Sequence, residues 1–124
     1  MKFSTVALGV RDLLAAERFY RDGLGFEIAS RPQPDLLYLA SGETRIALYP
    51  APKLADYAGG AETTPGGVVL SLNLATADEV NLVLERALAA GGRALRTPTR
   101  MEWGGYAGTV ADPDGHVWEL VWAE

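Results

Sequence analysis

Val6-Ala7-Leu8-Gly9-Val10-Arg11-Asp12-Leu13 opens the stretch that decides the fold. Val6 to Val10 alternates large and small side chains, the period of a half-buried strand. Asp12 is placed to cap a helix whose apolar positions Leu13, Ala16, Phe19 and Tyr20 fall at helical spacing. Gly23 and Gly25 end that helix. Three short strand-like runs follow, Phe26–Arg31, Leu36–Ala40 and Arg45–Tyr49. Pro32 and Pro34 break the first gap and Ser41-Gly42 turns the second.

Further along, the same order returns. Val68–Leu74 alternates as a strand, and Thr76-Ala77-Asp78-Glu79 has the form of a capping box. Val80, Val83, Leu84, Ala87 and Leu88 make one apolar helix face, which Gly91-Gly92 terminates. Strand-like runs recur at Arg93–Thr97, Tyr106–Ala111 and Val117–Trp122, with Asp112-Pro113-Asp114-Gly115 as a tight turn. Matching order, lengths and stop signals identify a tandem repeat. The predicted fold is α+β: two βαβββ modules forming a cupped mixed sheet with helices on the outer face. Module one covers about 1–50 and module two about 68–124 of a single domain. The Pro-, Gly-, Ala- and Thr-rich stretch 51–67 between them reads as a linker with a short helical turn near Lys53–Tyr57.

Alternation also sorts the side chains. Val6, Leu8 and Val10 face the helices, leaving Thr5, Ala7 and Gly9 on the open side. In the second module Leu70, Leu72 and Leu74 face inward, leaving Val69, Ser71 and Asn73. The last strand puts Val117, Glu119 and Val121 on the face opposite Trp118, Leu120 and Trp122. Glu119 therefore sits mid-strand between apolar neighbours, where a carboxylate must be paired, protonated or ligand-bound. It reads as a pocket carboxylate, the preferred reading, or else as an exposed edge-strand glutamate or one in an ion pair with an arginine.

Bulk properties narrow the function. The 124 residues carry 11 basic and 16 acidic side chains, a net charge of −5. The arginines are scattered rather than gathered into a stripe, which argues against nucleic acid as a partner. There are no cysteines, so disulfides and thiolate metal sites are excluded. No apolar run reaches membrane-spanning length, and Met1-Lys2-Phe3-Ser4 lacks a signal peptide's apolar core. No membrane partner and a cytoplasmic location are the expectations.

Two motifs resemble a known group. Gly9-Val10-Arg11-Asp12-Leu13 with Phe19-Tyr20-Arg21-Asp22-Gly23-Leu24-Gly25-Phe26 is similar to the opening module of the vicinal-oxygen-chelate superfamily, which holds glyoxalases, bleomycin resistance proteins and extradiol dioxygenases. Asp112-Pro113-Asp114-Gly115-His116-Val117-Trp118-Glu119-Leu120 resembles its closing hairpin, and Trp103-Gly104-Gly105-Tyr106 a glyoxalase-like branch of unassigned chemistry. The resemblance implies paired βαβββ modules, often in a homodimer, around a small-molecule pocket. In metal-using members the ligands lie on the first and last strand of each module. Carried over, those positions fall on Thr5, Ala47, Val69 and Glu119, of which Glu119 alone holds a divalent ion firmly. A catalytic metal commonly needs three protein donors, so no metal and no cofactor are expected. The resemblance also carries His116 in the turn, where its imidazole is expected to bond turn backbone or a neighbouring carboxylate.

Three function classes follow. A small-molecule binding protein would use Tyr38, Tyr49, Trp103 and Tyr106 as aromatic walls, with Thr5, Arg45, Asn73 and Glu119 as polar contacts. An enzyme of lyase or isomerase type, with or without a divalent metal, would use Glu119 as general base, with Arg45 as the electrophilic partner. An interaction module would present Trp118 and Trp122 as a partner surface rather than as core. The first is the preferred expectation and the second its alternative.

Overall fold

A computed structural model describes residues 1–61 and 65–124. Strand β1 (Thr5–Val10) leads into α1 (Leu13–Arg18), which continues through a π-helical turn at Phe19–Gly23. Strands β2 (Glu27–Gln33), β3 (Leu36–Ser41) and β4 (Thr44–Pro50) complete the first module. After α2 (Ala51–Tyr57), the second module runs β5 (Val69–Asn73), α3 (Ala77–Ala89), β6 (Arg93–Arg100), β7 (Tyr106–Ala111) and β8 (Val117–Trp122). Each module is a four-stranded mixed sheet, ordered β1-β4-β3-β2 and β5-β8-β7-β6, whose first strand is parallel to its last. The two sheets are not closed into a barrel, and the α+β architecture of repeated βαβββ modules is the one expected. Of the stretch 51–67 expected to be a linker, Ala51–Tyr57 is α2, and Glu62, Thr63 and Thr64 lie outside the described residues.

Local chemistry sets the helix starts. The Asp12 carboxylate accepts from the Leu14 and Ala15 amides at 3.0 and 3.3 Å. Thr76 Oγ1 accepts from the Glu79 amide at 3.0 Å, and the Glu79 carboxylate reaches back to the Ala75 amide at 3.0 Å. The return bond lands one residue before the cap, a variant of the expected box. The prolines behave differently from expectation. Strand β2 continues through Pro32, and β6 through Pro98, instead of stopping before them. Both are outer strands of their sheets, and both carry register shifts spanning the proline, between Ser30 and Gln33 and between Arg96 and Thr99. A bulged edge strand has no ladder bond for the proline to break.

The core lies between the sheets and the outer helices α1 and α3. Leu8, Leu37, Leu39, Ile46 and Leu48 come from the first module, and Val80, Val83, Val110, Trp118 and Leu120 from the second. Trp118 is core, and Trp122 packs against it half-buried. One cluster spans both modules because their helical segments approach closely. A Cβ on Gly23 would stand 3.2 Å from the Ala87 Cα, and one on Gly92 would stand 2.6 Å from Phe19 Cε1.

A polar seam locks the same junction. The Tyr20 hydroxyl donates to Asp112 Oδ2 at 2.6 Å and accepts from Trp118 Nε1 at 3.0 Å. Asp112 is itself buried, and its other oxygen accepts from the Asp114 and His116 amides. Arg11 of the first module pairs with Asp114 at 3.0 Å. His116 Nε2 lies 2.8 Å from the Gly9 carbonyl, so the imidazole bonds a strand of the other module rather than the turn or a carboxylate.

Candidate functional site

The faces turned away from α1 and α3 carry the polar and aromatic side chains that the core has no place for. On the first sheet, register sets Thr5 beside Arg45, Ala7 beside Ala47 and Gly9 beside Tyr49. Strand β3 adds Tyr38 beside Ala47 and Ala40 beside Arg45. Thr5, Tyr38, Arg45 and Tyr49 are therefore brought together on one face, as alternation requires. Arg45 lies over the Tyr38 ring, its guanidinium carbon 4.5 Å from the ring centre. The Tyr38 hydroxyl next to it, and then burial, push the Tyr49 hydroxyl above the ordinary phenol range.

Helix α2 closes one end of this face. Its Ala51 and Leu54 stand within van der Waals reach of a Cβ on Gly9, and the Tyr57 ring lies 6.3 Å from Tyr49. Thus α1 and α3 cover the outer faces, while the short α2 packs on the open one. Gly9 has no side chain to hold it off. The short helical turn expected near Lys53–Tyr57 lies within α2, but the linker reading does not place Leu54 and Tyr57 as wall residues; the proline at the helix start is the available signal.

On the second sheet the open face carries Ser71 beside Glu119, with Thr109 on the other flank of Glu119 and Arg96 beyond Thr109. Ser71 Oγ donates to Glu119 Oε1 at 2.7 Å. The glutamate is half-buried and forms no ion pair among the described residues. Ser71 holds one carboxylate oxygen, and the other has no hydrogen-bond partner among the described residues. Asn73 shares the strand and the face, and its residue is exposed.

Two expected site residues sit elsewhere. Tyr106 pairs with Trp122 on the helix side of the sheet, and its hydroxyl donates to Asn81 Oδ1 of α3 at 2.8 Å. Trp103 lies in the β6–β7 turn, 60% exposed, with its indole folded over Gly105, where no Cβ would fit. A third feature, a cavity of about 180 Å³ between β1 and the β5–β8 edge, is lined by Val6, Leu8, Leu54, Leu70 and His116 among others. It contains neither Arg45 nor Glu119, and its one ionisable group, His116, is engaged with Gly9. The polar chemistry is on the open faces.

The donor set can be weighed against a divalent ion. Of Thr5, Ala47, Val69 and Glu119, the positions where the resemblance would put metal ligands, Ala47 and Val69 have no side-chain donor atom. Among the described residues no three His, Cys, Asp or Glu side chains come together. One carboxylate bonded to a serine does not fit a resident ion that needs about three protein ligands.

The model of the Glyoxalase/Bleomycin resistance protein/Dioxygenase superfamily matches residues 2–120. The chain belongs to that superfamily. A superfamily structure described as a glyoxalase-related enzyme from Fulvimarina pelagi superposes with a TM-score of 0.92 at 35% identity, covering 98% of this chain and 88% of that one. The uncharacterised protein YetH of Bacillus subtilis is 28% identical over 125 residues, covering 96% of each chain. An uncharacterised protein of Mycobacterium bovis is 31% identical over 119 residues, covering 91% of this chain and 78% of its own. The Fulvimarina structure thus shares the fold across nearly the whole chain. No helix among the described residues is long and apolar enough to cross a membrane.

Proposed function

We propose that this superfamily member binds a small organic molecule against its open sheet faces, without a resident metal. The observation that carries the reading is the Ser71–Glu119 pair at 2.7 Å. A half-buried carboxylate oriented by a neutral donor, with no cation paired to it among the described residues, is suited to recognise a partner. Tyr38, Tyr49 and Tyr57 supply the aromatic surface that small-molecule sites favour. The reading includes a homodimer: β1 and β5 each pair on one side only, and Phe3, Val68 and Val69 are exposed beside them.

A second reading, a lyase or isomerase using Glu119 as general base, is favoured by the same hydrogen bond. Ser71 fixes Oε1, so Oε2 is presented in a set direction for a substrate proton. The two separate in one experiment. A thermal-shift screen of aromatic antibiotics and thiol conjugates finds ligands, because tight binding raises the melting temperature. Glu119→Gln is then compared with wild type for affinity and turnover of each hit. Affinity lost without any turnover in wild type supports binding; turnover lost with affinity kept supports the base. A screen with no hits contradicts both.

A further inference from the structure

The seam between the two sheets has what the open faces lack, a backbone edge turned into a cavity. Strands β1 and β5 are end strands of separate sheets, so no ladder joins them. In a parallel pair a residue turns its N–H and C=O to one side, and the next residue turns them to the other. The Ser4 carbonyl accepts from the Arg45 amide of β4 at 2.9 Å, which sets the even-numbered residues toward β4. The odd-numbered ones then face the second module. The Gly9 carbonyl does so, meeting His116 Nε2 at 2.8 Å; a carbonyl only accepts, so Nε2 donates. Ala7, two residues earlier, turns its N–H and C=O the same way. It lines the cavity of about 180 Å³ and is exposed, and neither of its backbone groups has a partner outside the β1–β4 ladder among the described residues.

The walls set the rest of the ligand's character. Val6, Leu8, Leu54, Leu70 and Val117 make the cavity apolar, and no Asp, Glu, Lys or Arg among the described residues lines it, so a charged guest finds no counterpart. An apolar cavity of about 150 Å³ holds a benzene ring, so this one takes a single six-membered ring with a small substituent. Its two sides are tied at one end. Beside the His116–Gly9 bond, the Arg11 amide donates to Asp114 Oδ1 at 2.9 Å and Arg11 Nη2 to the Pro113 carbonyl at 2.6 Å. A site ordered in advance loses little affinity to closing around its guest. An extended residue such as Ala7 offers donor and acceptor side by side. Open-chain amides are trans, with N–H and C=O opposed, and meet only one of the two. A small ring holds the amide cis and turns both groups to one edge. We infer that the seam cavity binds a neutral, single-ring cyclic amide, which exchanges two hydrogen bonds with Ala7 while its ring lies against the apolar walls. The site uses neither Glu119 nor Arg45, so it stands whether or not the open faces bind a ligand.

The test is a backbone amide NMR titration of the full chain with 2-pyridone, N-methyl-2-pyridone, N-methylacetamide and toluene. 2-Pyridone carries a cis N–H and C=O on a six-membered ring; the others lack the donor, the cis ring geometry, or both polar groups. It is expected to bind about fivefold tighter or more than each of the three, the worth of one hydrogen bond. The shifts should gather on residues 6–9 and 116–117 and on Leu70, with the Ala7 amide moving most. Ala7→Pro removes the donor alone, because that N–H takes no part in the β4 ladder, and an end strand accepts proline at such a position. It should weaken 2-pyridone about fivefold or more and leave toluene within about twofold. Equal binding of 2-pyridone and its N-methyl form overturns the inference, as does tighter binding of toluene, absence of 2-pyridone binding, or shifts gathered away from the seam. A folded Ala7→Pro variant that binds 2-pyridone like wild type overturns it as well. Should that variant not fold, the four-probe comparison on the wild type decides.

Discussion

Replacing Tyr20 with phenylalanine removes one oxygen from the junction of the two modules. That oxygen donates to Asp112 at 2.6 Å and accepts from Trp118 Nε1 at 3.0 Å, and all three residues are buried. A hydrogen bond to a charged group contributes about 1.5–3 kcal/mol, and a buried donor left unpaired costs about 1–3 kcal/mol. Backbone amides of Asp114 and His116 still reach the other Asp112 oxygen, so the carboxylate is not orphaned. The expected loss is about 2–4 kcal/mol, or a fall of roughly 8–15 °C in melting temperature for a domain this size. Urea unfolding followed by tryptophan fluorescence measures it, with the midpoint shifting and the slope unchanged. The pH dependence gives a second readout. Burial first, and then Asp112, push the Tyr20 hydroxyl well above its ordinary value of 10.0. The folded state thus holds this proton more tightly than the unfolded chain. Its contribution is complete below about pH 10 and is lost as pH rises beyond it, so wild type should weaken there more steeply than Tyr20→Phe. A loss below about 0.5 kcal/mol, with parallel alkaline limbs, refutes the idea that this hydroxyl joins the modules.

Other perturbations probe the same structure. Gly92→Ala places a Cβ 2.6 Å from Phe19 Cε1 and 2.9 Å from the Ala87 carbonyl, so overpacking should destabilise by about 1–3 kcal/mol in thermal or urea unfolding. Thr76→Ala removes the cap of α3 at an exposed position and should cost about 1 kcal/mol by the same assays, with the fold kept. Ser71→Ala frees Glu119 without removing it; the melting temperature should change by less than about 2 °C, because the pair is not buried. Affinity for any ligand that uses Glu119 should then fall about three- to tenfold by calorimetric titration, as lost pre-organisation predicts.

What the sequence discloses here depends on how local the cause is. The repeated modules and both helix starts follow from short-range patterns, because Asp12 and Thr76 act within their own turns. Alternation likewise places Thr5, Arg45 and Tyr49 on a common face. Strand lengths at Pro32 and Pro98 are not legible, since a bulge exists only relative to a partner strand. Tyr106 reads as a pocket residue until pairing with Trp122 and the bond to Asn81 fix its side of the sheet. The Tyr20–Asp112 bond joins residues 92 apart, and no window along the chain contains both. Helix α2 is visible as a helical turn, but its seat over Gly9 depends on where the chain returns after β4.

The most direct test of the small-molecule site is a backbone amide NMR titration of the labelled protein with a hit from the ligand screen. Shifts confined to β3, β4, β5 and β8, centred on residues 45–49 and 117–121, are the predicted outcome. Shifts gathered instead on α1 and α3, with those strands silent, contradict it.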